Sequence, residues 1–298
     1  MSKIIALGFF DGVHIAHGSL LKKAKEMAEN SNASPAVLSF DVHPSSVITG
    51  KSVPLISDCL ERENIINRLY GINDVIFIHF NKAMMEMPWD EFLNQIVSGL
   101  DVSGIVCGFD FTFGAGGLGT AEKLELWCKE HNLSCAVCPE IRLDGITVSS
   151  TYIRSLIEEG DMETAKEFLG HPHMIIDTVR TGKRIGRSLG APTINLAFKG
   201  GIVIPKYGVY ATKVILDDGR EFISETNIGV KPTFGDNDKP NIESHLLDFE
   251  GDLYGKTVRL DFYKFIRPEI KFESEEALSA QIRRDKQSVR NYFKEAIL

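Results

Sequence analysis

The chain has 298 residues, of which 43% are hydrophobic, and a formal net charge of -8. This length has room for two domains with ordinary packed cores. The negative charge argues against non-specific nucleic-acid binding, which needs a basic face. The chain does not open on a basic segment followed by an apolar one, and no stretch approaches the length of a membrane helix. We therefore expect a cytoplasmic protein without nucleic-acid or membrane partners; the sequence does not indicate its oligomeric state.

Five cysteines, an odd number in a chain of this length, argue against a disulfide framework. Cys135 and Cys138 have the spacing of a redox pair, but their segment resembles a short strand, whereas a thioredoxin-like pair opens a helix. Residues three apart on a strand face opposite sides. We therefore predict that these cysteines are structural.

Short apolar runs alternate with helical patterns through the first half of the chain. The predicted strands span residues 4–7, 36–40, 74–79, 104–107 and 134–138. The predicted helices begin near His17 and span 57–70, 89–100 and 121–131, with Ser57 or Asp58 as the N-cap of the second. This alternation predicts an α/β domain built on a doubly wound parallel sheet. Its ligand is expected at the carboxyl ends of the strands.

Two histidines lie where the first strand passes into the first helix, in the stretch IIALGFFDGVHIAH. Asp11 and Gly12 end the strand with a turn, and His14 and His17 follow at the helix N-terminus. Free backbone N–H groups and the helix dipole favour phosphate there, and imidazoles add hydrogen-bond donors. There are two alternatives. The histidines could be half of a zinc site, although no further ligands of suitable spacing follow nearby, or they could be ordinary structural residues.

Two further polar segments accompany this stretch. Residues 108–114, GFDFTFG, follow the fourth strand, either as part of a ligand site or as a loop whose phenylalanines fill the core. Residues 149–154, SSTYIR, begin a helix with serine and threonine as candidate caps. Helical pattern continues to Gly170, and residues 170–173 mark the predicted domain boundary.

The pattern changes beyond this boundary. Short strands are predicted at 174–180, 208–216, 221–228, 242–249 and 257–265, separated by Gly, Asp and Asn turns. Strands without intervening helices indicate a small antiparallel β-barrel. An amphipathic helix over 274–296 is expected to close it.

The motifs of both halves resemble one family. FFDGVHIAH is similar to the FDGVHxGH signature of the prokaryotic bifunctional riboflavin kinase/FAD synthetase family, with Ala16 in place of the usual glycine. FDVHP, GFDFTFG and SSTYIR are similar to further segments of its nucleotidyltransferase half. GKRIGRSLGAPTIN, NIGVKPTF and ESHLLDFEGDLYG resemble its kinase half, in family order along nearly the whole chain.

The resemblance implies two domains: an FMN adenylyltransferase in residues 1–170 and a riboflavin kinase in residues 171–298. In the first, His14, His17 and Arg154 would be catalytic, and Asp110 and Phe113 would bind the flavin. ATP and its phosphates would contact Gly8, Phe9, Asp11, Gly12, Ser150 and Thr151.

In the kinase domain, Glu243 would act as general base toward the riboflavin 5′-hydroxyl. Thr193 and Asn195 would bind Mg²⁺, which prefers hard oxygen ligands. The phosphates would contact Gly182, Lys183, Gly186 and Arg187. The implied function is conversion of riboflavin to FMN and of FMN to FAD, each with ATP. Two alternatives remain: a riboflavin kinase with a degenerate first domain, and a non-catalytic flavin-binding regulator.

Overall fold

A computed structural model describes residues 1–180, 193–230 and 240–295 of the protein. The chain divides into two units, Met1–Ser150 and Thr151–Leu298. Among the described residues, no helix is both long and apolar enough to cross a membrane. All five cysteines are free thiols.

A five-stranded parallel sheet forms the centre of the first unit, in the order β3-β2-β1-β4-β7. Its strands are β1 (Lys3–Leu7), β2 (Ser34–Phe40), β3 (Asp74–Ile78), β4 (Val102–Gly108) and β7 (Ser134–Cys138). The helices are α1 (Ile15–Ser31), α2 (Pro44–Thr49), α3 (Cys59–Tyr70), α4 (Lys82–Glu86), α5 (Trp89–Leu100) and α6 (Ala121–Glu130). Two small hairpins complete it: β5 (Thr112–Phe113) with β6 (Gly119–Thr120), and β8 (Arg142–Leu143) with β9 (Ile146–Thr147).

Apolar residues cover both faces of this sheet. Ile5 and Leu7 of β1 belong to a core cluster that includes residues of α5 and α6. Ile4 and Ala6 are fully buried and alternate with them, and α1 packs against β1, β2 and β4. Helices on both faces explain why β1 is an unbroken apolar run. The predicted doubly wound sheet is therefore confirmed.

The order of the strands reverses direction at the centre of the sheet. From β1 the chain adds β2 and β3 on one side, then crosses to add β4 and β7 on the other. The carboxyl ends of β1 and β4 therefore lie at the topological switch point, where doubly wound sheets bind ligands. The chain leaves these strands through Gly8–His14 and through residues 109–111, so the DGVH and FDF segments are neighbours.

A six-stranded antiparallel sheet forms the second unit, in the order β10-β15-β12-β13-β14-β11. Its strands are β10 (His173–Thr178), β11 (Thr193–Ala197), β12 (Gly208–Ile215), β13 (Glu221–Val230), β14 (Pro240–Leu246) and β15 (Thr257–Arg267). The two edge strands meet through an isolated bridge between Arg180 and Asn195, and through a bond from the Ala197 N–H to the Asp177 carboxylate (2.9 Å). The sheet thus curls into a barrel, as predicted.

A chain of hydroxyl groups crosses the inside of this barrel. Thr212 Oγ1 lies 2.7 Å from Ser224 Oγ and 2.6 Å from Thr226 Oγ1, and Thr226 Oγ1 donates to Ser244 Oγ (2.8 Å). All four side chains are fully buried. Their mutual hydrogen bonds offset the cost of burying four hydroxyl groups.

Three helices belong to the second unit or border it: α7 (Ser150–Glu159), α8 (Met162–Leu169) and the C-terminal helix (Glu275–Glu295). The helical region predicted up to Gly170 is in fact two helices, because Gly160 takes a positive φ of 84° between them. Helix α8 packs on β10 and β15, and the C-terminal helix packs on β12 and β13. Strand β11 was not among the predicted strands.

Candidate active sites

The loop after β1 is held in an unusual conformation. Phe10, Gly12 and Val13 have positive φ angles of 56°, 73° and 43°, the last rare for a β-branched residue. Gly8 leaves room for the buried Phe10 ring, which would lie 3.1 Å from a Cβ added there. Strained backbone of this kind persists only where the surroundings impose it, typically at functional sites.

The surroundings are the segment that leads into α3. The Asp11 carboxylate is 1% exposed and accepts hydrogen bonds from the N–H groups of Ile56 (2.8 Å) and Ser57 (3.1 Å). In return, the Gly12 N–H donates to Ser57 Oγ (2.8 Å). Asp11 and Gly12, which sequence assigned to phosphate binding, therefore anchor the loop in this structure.

Arg62 of α3 joins the same arrangement, and sequence analysis did not single it out. Its side chain is fully buried, and Nη1 donates to Phe9 O (2.7 Å), Phe40 O (3.0 Å) and Ser39 Oγ (2.8 Å). The guanidinium also stacks over the Phe9 ring at 4.7 Å. Burial lowers its pKa. The sequence contained one signal for this role. Arg62 lies three positions before Ile65 and four before Ile66, and therefore on the apolar face that α3 buries.

The two histidines are brought together at the start of α1. Their rings stack with centroids 3.6 Å apart, and His14 Nδ1 accepts a hydrogen bond from the His17 N–H (3.2 Å) as the helix N-cap. A ring nitrogen that accepts is unprotonated, so the proton of His14 lies on Nε2, which can donate to a ligand.

The pKa of His17 is held well below its usual value, first by burial, then by His14 and Arg62. Nδ1 of His17 is buried, and no described group hydrogen-bonds to it. At neutral pH the His17 ring is therefore uncharged. This site offers imidazole hydrogen bonds and helix N–H groups to a phosphate rather than a histidine cation.

Ser150, the second residue of the SSTYIR segment, contacts the same loop. Ser150 Oγ donates to the carbonyl oxygen of Asp11 (3.0 Å), which joins the start of α7 to the loop. Thr151 is exposed, and Arg154 lies one turn further along α7 and is half-buried.

The FDF segment divides its aromatic residues between core and surface. Phe113 is 7% exposed and packs against Phe92 and Phe111 in the core, whereas Phe109 is 50% exposed. Asp110 is exposed beside it. Asp110 and Phe109 are thus the residues of this segment that a ligand could reach, and flavin binding by Asp110 and Phe113 stays a prediction.

In the barrel, polar residues share one face of three neighbouring strands. Asn195 of β11 lies opposite Glu243 of β14, which lies opposite Asn227 of β13. Two positions further along the same strands, the same face presents a second set of paired residues: Thr193, His245 and Glu225. Sequence predicted three of these six residues.

Thr193 and Asn195 also line a cavity together with the loop that follows β14, including Leu253 and Tyr254. The TIN residues of the first kinase motif and the DFEGDLYG motif therefore meet there. Hydroxyl, amide and carboxylate oxygens suit a hard divalent cation whose remaining ligands are water and nucleotide phosphate, so the residues present fit Mg²⁺. In the described part of the chain there is no cluster of three His, Cys, Asp or Glu residues that could hold a metal on its own.

Four predicted phosphate-binding residues, Gly182, Lys183, Gly186 and Arg187, lie outside the described residues.

The first unit has a helix start lined by two histidines at the switch point of a doubly wound sheet, an arrangement typical of nucleotide-binding domains. The second unit is a barrel in which Thr193 and Asn195 border a cavity. The FAD synthetase family model matches residues 1–152, and the riboflavin kinase family model matches residues 169–293. The chain therefore belongs to the bifunctional riboflavin kinase/FMN adenylyltransferase family. Both reactions in this family use ATP with a divalent metal ion.

Individual relatives agree along the whole chain. The bifunctional riboflavin kinase/FMN adenylyltransferase of Bacillus subtilis is 35% identical, covering 97% of this chain and 92% of the relative. That of Escherichia coli K12 is 30% identical, with coverages of 97% and 92%. A crystal structure described as a macrolide-efflux protein from Streptococcus pneumoniae has a TM-score of 0.85 and 27% identity, and covers 97% of this chain and 94% of its own.

Proposed function

We propose that the protein converts riboflavin to FMN and FMN to FAD, consuming one ATP in each reaction. The observation that carries this proposal is that the FAD synthetase match covers the first unit and the riboflavin kinase match lies in the second, and that motif residues far apart in sequence approach one another within each unit. In the first unit Ser150 Oγ donates to the carbonyl oxygen of Asp11 (3.0 Å), and in the second Asn195 lies opposite Glu243 on the neighbouring strand.

In the kinase reaction, Glu243 takes the proton of the riboflavin 5′-hydroxyl. The 5′-oxygen then forms a bond to the γ-phosphorus of ATP, and ADP leaves. Thr193 and Asn195 hold Mg²⁺, which when bound neutralises charge on the transferring phosphate. The Asn241 side chain donates to the Glu243 carboxylate (3.3 Å) and orients it.

In the adenylyl transfer, an oxygen of the FMN phosphate attacks the α-phosphorus of ATP, and pyrophosphate leaves. FMN phosphate is already ionised, so this reaction needs positioning and charge stabilisation rather than a base. His14 donates from Nε2 to the phosphates, beside the free N–H groups of α1. Arg154 adds positive charge.

Ala16, the departure from the family signature, has a backbone conformation that any L-residue can adopt. It lies within α1 and is not among the residues with positive φ, so its methyl group causes no backbone strain. The five free thiols support a reducing compartment, and we propose a cytoplasmic location.

The test is chromatography of riboflavin incubated with the purified protein, ATP and Mg²⁺. FMN followed by FAD is expected. FMN alone would support a kinase with a degenerate first domain, and neither product from folded protein would support a flavin-binding regulator.

A further inference from the structure

A second pocket lies in the barrel unit, apart from the row that contains Glu243. Its volume is about 330 Å³, at the lower end of the range of small-molecule pockets. It lies between α8, strands β12, β13 and β15, and the C-terminal helix, and is lined by Lys166, Lys213, Glu221, Ile223, Tyr263, Tyr292 and Phe293. None of these residues belongs to the candidate active sites.

Three aromatic rings form the wall of this pocket. Tyr263 and Tyr292 each contact Phe293 edge to face, with centroids 5.1 Å apart in both pairs. Phe293 is 5% exposed and is fixed in a core cluster with Ala211 and Val289. A wall of packed rings is a rigid surface for a flat aromatic ligand, with no cost of ordering the rings on binding.

Positive charge lies over these rings. Lys166 Nζ is 5.3 Å from the Tyr263 centroid, and Lys213 Nζ is 5.8 Å from the centroids of both Tyr263 and Phe293. Lys213 pairs with Glu221 (3.0 Å), but within the described chain Lys166 has no carboxylate partner. The lining residues thus provide two ammonium groups and one carboxylate. Glu163 and Asp261, whose charges also act on the tyrosines, pair with Lys264 and Arg259, so one positive charge is left for an anion.

The tyrosines do not oppose an anion. Burial is the first cause that raises the pKa of Tyr263 to about 12 and also raises that of Tyr292. Both phenols are therefore neutral at physiological pH and can donate hydrogen bonds to phosphate oxygens.

From this geometry we infer that the pocket binds an aromatic ring that carries a phosphate group, with the ring against Tyr263, Tyr292 and Phe293 and the phosphate at Lys166 and Lys213. Flavin mononucleotides and adenine nucleotides both have this chemistry. The inference goes beyond the proposed function and does not depend on it, because binding here requires no turnover.

The test measures acetylation of individual lysines in the full-length protein by peptide mass spectrometry, with FMN, AMP, riboflavin or inorganic phosphate present. FMN or AMP at ten times its Kd should slow acetylation of Lys166 about tenfold by mass action. Comparing the two ligands shows whether the ring is a flavin or an adenine. Lys264 is the matched control: its Nζ lies 5.3 Å from the Tyr292 ring and pairs with Glu163, but it does not line the pocket.

A pair of variants tests the assignment independently. K166E should weaken ligand binding at this site about tenfold or more, whereas K264E should leave it unchanged. The inference is overturned if neither FMN nor AMP protects Lys166. It is also overturned if riboflavin or inorganic phosphate alone protects Lys166 equally well, or if K166E and K264E behave alike.

Discussion

At the scale of single residues, His14 caps a helix and has a proposed role in phosphate binding, and the two can be separated. Its Nδ1 accepts the hydrogen bond that caps α1, and this bond places the ring proton on Nε2, from which we propose that it donates to a ligand's phosphate. Asparagine is among the best N-caps but lacks the imidazole Nε2 donor. A substitution can therefore keep the helix start and remove the donor.

We expect H14N to reduce FAD formation from supplied FMN about a hundredfold, the usual effect of losing one donor to a transition state. FMN formation from riboflavin should be unchanged. Chromatography of the two reactions run separately measures both. H131N, which changes an exposed histidine of the same unit, should affect neither; loss of both activities in folded H14N would contradict the division of labour.

The complementary change is in the barrel. E243Q keeps the shape of the side chain and removes the base, so FMN formation should fall about a hundredfold or more. FAD formation from supplied FMN should continue at the wild-type rate. The control is E250Q, an exposed glutamate in the same unit. Unimpaired FMN formation by E243Q would remove Glu243 from the mechanism.

The buried His173 links stability to pH. Burial, followed by His171, lowers its pKa from 6.5 to about 3. Between these values the unfolded chain binds a proton that the folded chain does not. The free energy of unfolding therefore falls by about 1.4 kcal/mol for each pH unit of acidification.

In H173N this contribution disappears, so we expect a slope about 1.4 kcal/mol per pH unit shallower between about pH 6 and pH 4. Urea unfolding at several pH values measures the slope. H131N, which changes an exposed histidine of the first unit, serves as the comparison variant. An equal slope in H173N would mean that His173 is protonated in the folded protein.

At the scale of elements, α3 is the support of the first site. Its N-cap Asp58 forms a capping box with Glu61, and Arg62 follows on the buried face. Through Arg62 the helix holds the carbonyl groups of Phe9, in the loop after β1, and of Phe40, the last residue of β2. The geometry of the loop where we propose phosphate binding thus depends on a helix that supplies none of the proposed ligands.

We expect R62M to lower the free energy of unfolding by about 3 kcal/mol, because it leaves buried carbonyl groups without their charged donor. It should also reduce FAD formation more than FMN formation. Urea unfolding and the two product assays measure these effects. R68M alters an exposed arginine on the same helix and should change the free energy of unfolding and both activities little. Similar losses of stability and FAD formation in R62M and R68M would argue against the contacts described.

Elements with regular periodicity could be predicted closely from sequence. Helix α5 and strand β7 have the predicted bounds because their apolar spacing ends sharply at turn residues. Strand β11 was missed since its five residues form a strand only by pairing with β14, a long-range contact that local pattern does not contain. The split of α7 from α8 depended on one glycine whose positive φ sequence does not reveal.

The candidate sites divide in the same way. Neighbours in sequence, such as His14 and His17, could be placed together from their spacing at a strand-to-helix junction. Asn227 and Glu225 could have been recognised from the alternation in SETNIG, where Ser224, Thr226 and Ile228 are the buried residues. The pairing of Asn195 with Glu243 requires the register of two strands, which only the folded structure supplies.

At the scale of the whole molecule, the residue at which the barrel unit begins can be tested. The boundary predicted from sequence lies between residues 170 and 171, whereas the units divide between Ser150 and Thr151. Helix α8 packs on β10 and β15 and buries Met162, Phe168 and Leu169. These contacts indicate that the barrel needs α8 for stability.

We therefore expect a fragment of residues 151–298 to be more stable than one of residues 171–298, by about 5 kcal/mol for three large apolar side chains. Both fragments contain the described kinase residues, so folded material of either should form FMN. Urea unfolding compares them. Equal stability would favour the boundary at 170/171.

The barrel is closed unevenly, which gives it a direction of weakness. Neighbouring strands elsewhere pair over five residues or more, whereas the described edges of β10 and β11 are joined by one backbone bridge at Arg180 and one side-chain bond at Asp177. The sheet is therefore closed in topology, but few hydrogen bonds join its two edge strands. Under mechanical force, the barrel will open first between β10 and β11, beside Thr193 and Asn195, before any other pair of its strands separates.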